Sequence, residues 1–407
     1  IMTSVTPAAS VQTIPGTAII ALSIGAFGSG MSMRVTDPML VRLAMDFNIS
    51  LGTASLVITV FGICYGLSQL LFGPLGDRYG KYLVIGWGCL ACSFTALLCA
   101  LAPDFHLLLI ARAIAGATAA SIIPLSMAWI GDVVPYEKRQ PVLARFLIGQ
   151  ILGLSSGALI GGLCADYLSW RTPFFLIAFS FISIGIVLIR LNNRLPEHAR
   201  GMHKAEGNAL SRLFSEFGKI IALQWARTVL LVVTLEGAMV FGAMAFIASH
   251  LHARLGISLT IAGLLVMLFG LGGLLFALQS RKLVKQFGEP GLVRNGAVLM
   301  AVSLLVIAYV PGWWLAAPAG FCLGLGFYLM HNTLQINATQ MAPERRGAAV
   351  AAFASCFFLG QSAGVAIGGA LLHLVQTSHL LTIASIGVLF TGLCFARLRA
   401  KRSLQSA

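Results

Sequence analysis

The chain has 407 residues, of which 58% are hydrophobic and only 10% are charged, and its formal net charge is +14. A soluble protein of this length needs a far larger charged fraction to cover its surface, so the composition excludes that class. The sequence also lacks the alternating polar and apolar segments of about ten residues that are typical of outer-membrane barrels. It therefore predicts an all-α membrane protein.

Apolar runs of about 20 residues recur along the whole chain, and each is long enough to cross the hydrocarbon core of a bilayer. We predict twelve transmembrane helices, numbered one to twelve in chain order, at 16–43, 51–72, 83–102, 106–131, 141–165, 172–191, 226–251, 258–279, 292–310, 315–339, 347–373 and 380–398. The loops between them are short, except for the segment 192–225.

Most positive charges lie on one side of the predicted membrane. Of the 27 lysines and arginines, 22 fall towards the side of the termini, three fall towards the other side, and two lie well inside helices. This positive-inside asymmetry predicts a multi-pass protein of the inner (plasma) membrane with both termini in the cytoplasm. Basic loops beside anionic lipid headgroups account for the excess charge, so we expect no nucleic-acid partner. The first 15 residues contain no positive charge, and we expect no cleaved signal peptide.

Helix one carries two opposite charges and a helix breaker within five positions. Arg34 and Asp37 are three residues apart on one helical face and can form an ion pair. Pro38 has no N–H group for the carbonyl oxygen of Arg34, which should leave that oxygen free for a ligand or water. The pair is either structural, fixing the depth of the helix, or a gate in which protonation of Asp37 releases Arg34 to bind substrate.

Two further charged residues fall well inside predicted helices, Arg112 in helix four and Glu236 in helix seven. A charge at the bilayer centre costs about 2.5–3.5 kcal/mol, so these groups should face a polar cavity or one another. Glu236 has no cation within four residues. A carboxylate in apolar surroundings resists ionisation and can exchange protons near neutral pH, which makes Glu236 the first candidate for a proton carrier. The alternative is a carboxyl group satisfied by a neighbouring helix.

Helix ten has the most polar interior of the later helices, with His331, Asn332 and Gln335 close together. His331 and Gln335 are four residues apart and share one face of the helix. These side chains either form hydrogen bonds with a substrate or pack against other polar helices. Because no second histidine or acidic residue stands near His331, we expect no metal site.

The sequence contains an internal repeat. The pattern GxxxGxxxGG occurs twice, 207 residues apart, as Gly153, Gly157, Gly161 and Gly162 in helix five and as Gly360, Gly364, Gly368 and Gly369 in helix eleven. Small residues at this spacing let helix backbones approach closely, and the helices could also slide along such a surface. Together with the long central gap, the repeat predicts two pseudo-symmetric six-helix bundles, 1–191 and 226–407, joined by a cytoplasmic linker at 192–225.

The linker contains its own helical pattern. Apolar residues recur at helical spacing over 209–223, with charged and polar residues between them. This pattern predicts an amphipathic helix that lies on the cytoplasmic surface of the membrane. A groove that binds a partner protein is the alternative.

The loop after helix two is GPLGDRYGK, at 73–81, and it resembles the GxLxDRxGR/K signature of the major facilitator superfamily. The matching residues are Gly73, Asp77, Arg78, Gly80 and Lys81. Arg112 with Gly116 resembles the second motif of the family, and SWRTPF at 169–174 resembles its usual start of helix six. The glycine pattern of helix five resembles the antiporter motif GxxxGPxxGG, with Ala158 where the family has proline.

Within this family the chain is most similar to the twelve-helix proton-coupled drug and sugar exporters. The resemblance implies a secondary active transporter that works by alternating access, with Asp77 in a cytoplasmic gate and Arg112 assisting proton movement. From the residues alone, a charged turn that fixes topology is the alternative for Asp77, and a buried structural pair is the alternative for Arg112.

The sequence favours a proton gradient as the energy source and no cofactor. It contains no GxxxxGK[ST] loop for a nucleotide, and no intramembrane set of nucleophile and base that would indicate an enzyme. Two hypotheses stay open: an exporter that exchanges protons for a small amphipathic molecule, and a proton-coupled importer of a small organic anion bound by Arg34 and Arg112. The expected partners are the substrate, protons and the lipid bilayer, with the protein a monomer.

Overall fold

The computed structural model describes residues 16–201 and 209–405. Eleven helices of this part of the chain are long and apolar enough to cross a membrane. One of them, Leu259–Tyr309, comprises two helices joined at Gly288, which has a non-helical φ of 62°. The twelve spans, α1 to α12, are therefore Gly16–Arg34, Leu51–Tyr79, Lys81–Leu101, Phe105–Val133, Pro141–Tyr167, Thr172–Asn192, Gln224–Leu255, 259–287, 289–309, Trp313–Gln340, Pro343–Leu371 and Thr377–Arg402. The predicted all-α membrane fold is confirmed, and the expectation about a signal peptide concerns residues outside the described ranges.

Several spans are built from shorter segments. The span α2 joins helices Leu51–Ala54 and Leu56–Tyr79, α4 joins Phe105–Ala119 and Ile122–Val133, and α7 joins Gln224–Glu236, a π-helix Gly237–Phe241 and Gly242–Leu255. The helices of α5 and α12 extend beyond the spans as Tyr136–Tyr167 and Thr377–Gln405, and α11 combines a 3₁₀ turn Pro343–Arg345 with Arg346–Leu371. Short helices lie between the spans at Leu40–Asp46, Glu197–Arg200 and Ala209–Ala222.

The prediction that helix one runs to residue 43 is wrong. The helix ends at Arg34, and a turn leads into the short helix Leu40–Asp46. Pro38 explains the break because it lacks the N–H group that would continue the ladder. The carbonyl oxygen of Arg34 is not free as predicted, since it accepts a hydrogen bond from the backbone N–H of Asp37 at 3.2 Å.

The internal repeat is visible in local geometry. Gly80 and Gly288, 208 positions apart, both have positive φ, at 91° and 62°, where glycine is favoured because it has no Cβ. Ser50 and Ser258, also 208 positions apart, both cap a helix by accepting a backbone N–H at their side-chain oxygen. The same turn and the same cap therefore begin corresponding helices of the N-terminal half, α1–α6, and the C-terminal half, α7–α12.

Most of the repeated glycines lie where two helix backbones approach closely. A Cβ on Gly153 would collide with the carbonyl oxygen of Phe27 in α1. In the same way, a Cβ on Gly360 would collide with the carbonyl oxygen of Thr234 in α7. Gly157 meets the Met31 carbonyl of α1 and Gly364 meets the Ala238 carbonyl of α7 in the same way, and Gly161 meets the carbonyl of Val35 just after α1. Gly368 differs, because a Cβ there would meet the side chains of Phe246 and Leu380 and no backbone atom.

The two halves meet along α2 with α11 and α5 with α8. Gly162 of α5 lies against the backbone of Leu259, and a Cβ on Gly369 of α11 would lie 2.9 Å from the carbonyl oxygen of Gly52. We call this end of the bundle, near 52, 166, 259 and 369, the distal end. The other end, near 79–81, 192–201, 209–224 and 340–346, is the basic end.

Asp166 joins the halves at the distal end. Its carboxylate accepts hydrogen bonds from the backbone N–H groups of Leu259, at 3.2 Å, and Thr260, at 2.6 Å. It also accepts one from the Thr260 hydroxyl at 2.6 Å. A negative side chain at a helix N-terminus satisfies free N–H groups and complements the helix dipole, so the end of α5 caps the start of α8 across the seam.

Candidate functional site

Arg34 and Asp37 form an ion pair at the turn that ends α1. The Arg34 Nη1 atom lies 2.9 Å from Asp37 Oδ2, and the two residues are only 2% and 1% exposed. Arg34 Nη2 and Asp37 Oδ1 have no hydrogen-bond partner within the described protein. A buried polar atom without a hydrogen bond lowers the stability of the fold. Each of these two atoms could therefore bind a ligand, a water molecule or a new side-chain partner.

Arg34 also contacts the other half of the molecule. Its guanidinium carbon lies 4.2 Å from the centre of the Phe241 ring in α7. A guanidinium over an aromatic face is attracted by the ring quadrupole, and more strongly where water is excluded. Arg34 is therefore shared between a carboxylate of its own half and an aromatic ring of the other.

Arg112 is buried among backbone carbonyls of the N-terminal half. Its Nε and Nη1 atoms donate to the carbonyl oxygens of Val57, at 3.2 Å, and Ser32, at 3.3 Å. Its guanidinium carbon lies 4.1 Å from the centre of the Phe61 ring, and Nη2 has no partner in the described protein. Arg112 also interacts electrostatically with Asp37, so it adds positive charge to the region of the Arg34 pair.

Glu236 and His331 form a second pair, in the C-terminal half. His331 Nδ1 lies 2.7 Å from Glu236 Oε2, and Glu236 is completely buried while its Oε1 atom has no partner in the described residues. The His331 ring stacks on Phe327 at 4.7 Å between centroids and lies 4.9 Å from Phe357. The pair is therefore enclosed by aromatic rings, and the His331 side chain is still 17% exposed.

Glu236 stands at a change of helix type. The α-helical segment of α7 ends at Glu236, and the π-helix Gly237–Phe241 follows directly. Isolated π-turns within α-helices are frequent at functional sites. The glycines at 237 and 242 let this segment press against α11, because a Cβ at either position would meet its backbone.

The other predicted residues of helix ten follow His331 on α10. Asn332 and Gln335 are both partly exposed, and Gln335 follows His331 by four residues on the same face of α10. Within the described residues, no group of three or more histidine, cysteine, aspartate or glutamate side chains could hold a metal ion. Asn332 and Gln335 therefore keep part of their polar surface accessible.

The predicted gate motif lies at the basic end of the N-terminal half. The Lys81 Nζ atom lies 3.0 Å from Asp77 Oδ1 and 2.6 Å from Asp132 Oδ2. Gly80 forms the tight turn between α2 and α3, and the guanidinium carbon of Arg78 lies 5.2 Å from the ring centre of Tyr79. These contacts join α2, α3 and α4 at their basic ends. The remaining motif residue, Gly73, has open space around its Cβ direction.

The C-terminal half has a corresponding cluster that the sequence analysis missed. Glu289 stands 208 positions after Lys81 and lies 2.8 Å from the Nε atom of Arg399. Asn337 donates to the same carboxylate at 3.3 Å. The repeat offset was the signal that could have identified Glu289, although the charge is inverted relative to Lys81.

The linker helix Ala209–Ala222 agrees with the predicted helix at 209–223. Glu216 lies 2.9 Å from Lys219 Nζ and 2.6 Å from Arg345 Nε at the start of α11. The hydrogen bond from Lys219, together with the nearby Arg345 charge, lowers the pKa of the Glu216 carboxyl. Ile220 is completely buried. This part of the linker is thus attached to the C-terminal half.

The sequence matches one known protein family along most of its length. The model of the Major Facilitator Superfamily matches residues 22–364, and a second match covers residues 228–406. The chain belongs to the Major Facilitator Superfamily. As a member of this superfamily it is a multi-pass membrane protein and a secondary transporter of small molecules, not an enzyme.

Individual members of the superfamily are similar to the chain at low identity. It is 25% identical over 361 residues to the uncharacterized MFS-type transporter YceJ of Bacillus subtilis, covering 86% of this chain and 88% of YceJ. It is 28% identical over 172 residues to the multidrug export protein EmrB of Escherichia coli strain K12, covering 42% of this chain and 33% of EmrB.

Solved structures show the same fold. The peptide transporter POT superposes with a TM-score of 0.75 at 17% identity, covering 95% of this chain and 94% of POT. The nucleoside transporter NupG also gives a TM-score of 0.75, at 15% identity, covering 93% of this chain and 98% of NupG. At these identities the likeness concerns the fold alone.

Proposed function

We propose that this superfamily member is a proton-coupled antiporter that exports a small amphipathic molecule. The observation that supports this most is the pair Glu236–His331, a completely buried carboxyl group 2.7 Å from an imidazole nitrogen. An acid in such a position can be neutral or charged according to the partner it has. One orphan oxygen on Glu236 leaves room for a second partner.

The proposed cycle uses Glu236 as the proton carrier. When Glu236 takes up a proton, its charge is lost and its attraction to His331 weakens. When it releases the proton, the carboxylate again attracts the imidazole or a positively charged substrate group. A substrate that competes with the proton for Glu236 would be exchanged for it, which is antiport.

The substrate is proposed to be amphipathic because the site offers both kinds of contact. Phe327, Phe353 and Phe357 surround His331 with apolar rings, at centroid distances of 4.7 to 5.4 Å. The partly exposed Asn332 and Gln335 on the same helix offer hydrogen bonds. A molecule with an aromatic or aliphatic body and one or two polar groups would satisfy these contacts.

Alternating access is proposed to occur by rocking of two bundles, 1–191 and 226–407, about the central pairs, with 192–225 as the linker. The positive-inside distribution supports a cytoplasmic location for the basic end and both termini, in the inner (plasma) membrane. Asp166 and the glycine contacts join the two halves at the distal end. Opening that end requires these contacts to break, and Asp77 with its motif would then act at the basic end. The two-bundle unit contains every proposed site residue, so a monomer suffices.

A second candidate is a proton-coupled importer of a small organic anion. It is supported by Arg34 and Arg112, each buried and each with one guanidinium nitrogen that has no partner in the described residues. Two arginines with free donors could bind a carboxylate or phosphate group. In that case the arriving anion would displace the Asp37 carboxylate from Arg34, and Asp37 would then take up a proton.

Transport by membrane vesicles separates the two candidates. The purified protein is first screened by thermal shift against drugs such as ethidium, against sugars and against organic acids, and the compound that stabilises it most is radiolabelled. The antiporter predicts accumulation in everted vesicles whose interior is acidic. Uptake into right-side-out vesicles driven by an inward proton gradient would contradict export and favour the importer.

A further inference from the structure

Two ion pairs in different halves of the protein are connected by a continuous series of contacts through one ring. Arg34, paired with Asp37, lies 4.2 Å from the centre of the Phe241 ring. Phe241 meets Phe327 and Phe357 edge to face, at centroid distances of 4.9 and 5.2 Å.

Both of these neighbours also contact the second pair. The rings of Phe327 and Phe357 lie 4.7 and 4.9 Å from the ring of His331. His331 in turn binds Glu236. Phe241 is thus the point at which the aromatic packing around His331 reaches the guanidinium of the other half.

The π-helix explains how Phe241 comes to this position. In a regular α-helix, residues five positions apart such as Glu236 and Phe241 differ by about 140° in direction. A π-turn accommodates an extra residue per turn and reduces that angle. The side chains of Glu236 and Phe241 can therefore lie on nearly the same face of α7, where the carboxyl group contacts His331 and the ring contacts Arg34.

We propose that Phe241 is a positioning residue that couples the pair Arg34–Asp37 to the pair Glu236–His331. Its ring provides Arg34 with an interaction in the C-terminal half, which competes with the attachment of Arg34 to Asp37. A change in the partners of Glu236 moves His331 and the rings packed on it, and so alters the interaction available to Arg34. This inference rests on the proposed proton coupling, because that coupling supplies the change at Glu236.

Hydrogen–deuterium exchange of the purified full-length protein tests the proposal without substrate or a proton gradient. The readout is exchange at the backbone amides of the turn after Arg34, within 35–39, where every residue except Pro38 has an N–H group and the hydrogen bonds include Val35 N–H to Met31 O and Asp37 N–H to Arg34 O. We expect Phe241→Leu, which keeps apolar volume but removes the π face, to change exchange there about 2- to 30-fold, the range of a cation–π contact. Phe241→Trp keeps a π face and should behave like the wild type.

Phe269 supplies the matched control. It contacts Phe241 edge to face at 5.8 Å in the same aromatic cluster, so Phe269→Leu removes a packed ring without removing the ring beneath Arg34. Equal effects of Phe241→Leu and Phe269→Leu, or no effect of Phe241→Leu, would overturn the proposal. If the leucine variant does not fold, Phe241→Met takes its place.

The coupling itself is tested by adding Glu236→Gln. We expect Glu236→Gln to alter the exchange rate at 35–39 when residue 241 is phenylalanine. In the Phe241→Leu background, the change in exchange rate caused by Glu236→Gln should be at least threefold smaller. The same effect in both backgrounds, or none in either, would refute a coupling role. Because no transport is measured, failure here is distinct from failure of the antiport proposal, which the vesicle assay decides.

Discussion

Asp166 at the end of α5 caps the first turn of α8, with its carboxylate 2.6 Å from the backbone nitrogen of Thr260 and 2.6 Å from its hydroxyl. The two residues belong to different halves of the protein and stand 94 positions apart. A helix cap is normally a local device within one element. Here it joins two helices that must separate if the distal end is to open, so it reports directly on the conformational cycle.

We predict that Asp166→Ala shifts the protein towards the conformation that is open at the distal end. A lost cap is worth about 0.5–2 kcal/mol, which corresponds to roughly a 2- to 30-fold change in the ratio of conformations. Double electron–electron resonance gives the distribution of distances between spin labels at the exposed positions Leu168 and Leu374. In Asp166→Ala we expect a larger fraction of molecules with a long distance between the labels.

Asp104 provides the control for this prediction. Its carboxylate caps α4 by accepting the N–H of Leu107 at 2.9 Å, within one half and at the same end of the bundle. Asp104→Ala should lower stability without changing the distance distribution. An unchanged distribution in Asp166→Ala, or the same change in both variants, would show that the cap is not a lock between the halves.

The pair Arg34–Asp37 can be tested by a double-mutant cycle. Breaking a buried ion pair from one side leaves an uncompensated charge and costs about 3–5 kcal/mol, so Arg34→Gln and Asp37→Asn should each lower the unfolding temperature strongly. The double variant should regain most of that stability. Recovery of transport along with stability would indicate a structural pair, whereas stability without transport would support the gate.

The sequence predicts a large part of this fold because the relevant signals are local. The length of apolar runs located the spans, and the glycine spacing identified the faces of α5 and α11 that pack closely. The insertion cost of charge correctly indicated that Arg34, Asp37, Arg112 and Glu236 avoid lipid, since all are 2% exposed or less.

The remaining features depend on contacts between distant segments. Glu236 and His331 were both identified as candidates, but their pairing spans 95 positions and is decided by how α7 packs on α10. The contact between Phe241 and Arg34 was not predicted, because phenylalanine is common in apolar helices and no residue near Phe241 in the sequence indicates a contact with α1. The early end of helix one was missed even though Pro38 was noticed, because a proline can kink a helix or end it.

The glycine contacts lead to a prediction about stability. Gly364→Ala should lower the free energy of unfolding by about 1–3 kcal/mol, because a Cβ there would collide with the backbone of Ala238 in α7 and push two helices apart. Gly347→Ala is the control, since no atom lies within 4 Å of the position its Cβ would take. Thermal or denaturant unfolding should show Gly347→Ala as neutral or up to about 1 kcal/mol more stable. Equal stability of the two variants would mean that the helices can separate without cost.

The motif at the basic end leads to a prediction about kinetics. We expect Asp77→Asn to reduce the turnover of transport more than the affinity for substrate, because Asp77 lies in the last turn of α2 at the basic end, where the sequence analysis expected a loop, and far along the chain from the central pairs. Lys81 would keep its second partner, Asp132, 2.6 Å away. Asp132→Asn is therefore the companion variant that removes the other carboxylate. Equal losses of turnover and affinity in Asp77→Asn would argue against a gate.

If Glu236 carries the coupled proton, proton and substrate movement measured together in proteoliposomes test this most directly. With a pH-sensitive dye inside and the radiolabelled compound from the binding screen outside, the wild type should move protons in one direction as substrate moves in the other. Glu236→Gln should lose this proton flux and all gradient-driven accumulation while it still exchanges labelled for unlabelled substrate. Full gradient-driven transport by Glu236→Gln would contradict the account.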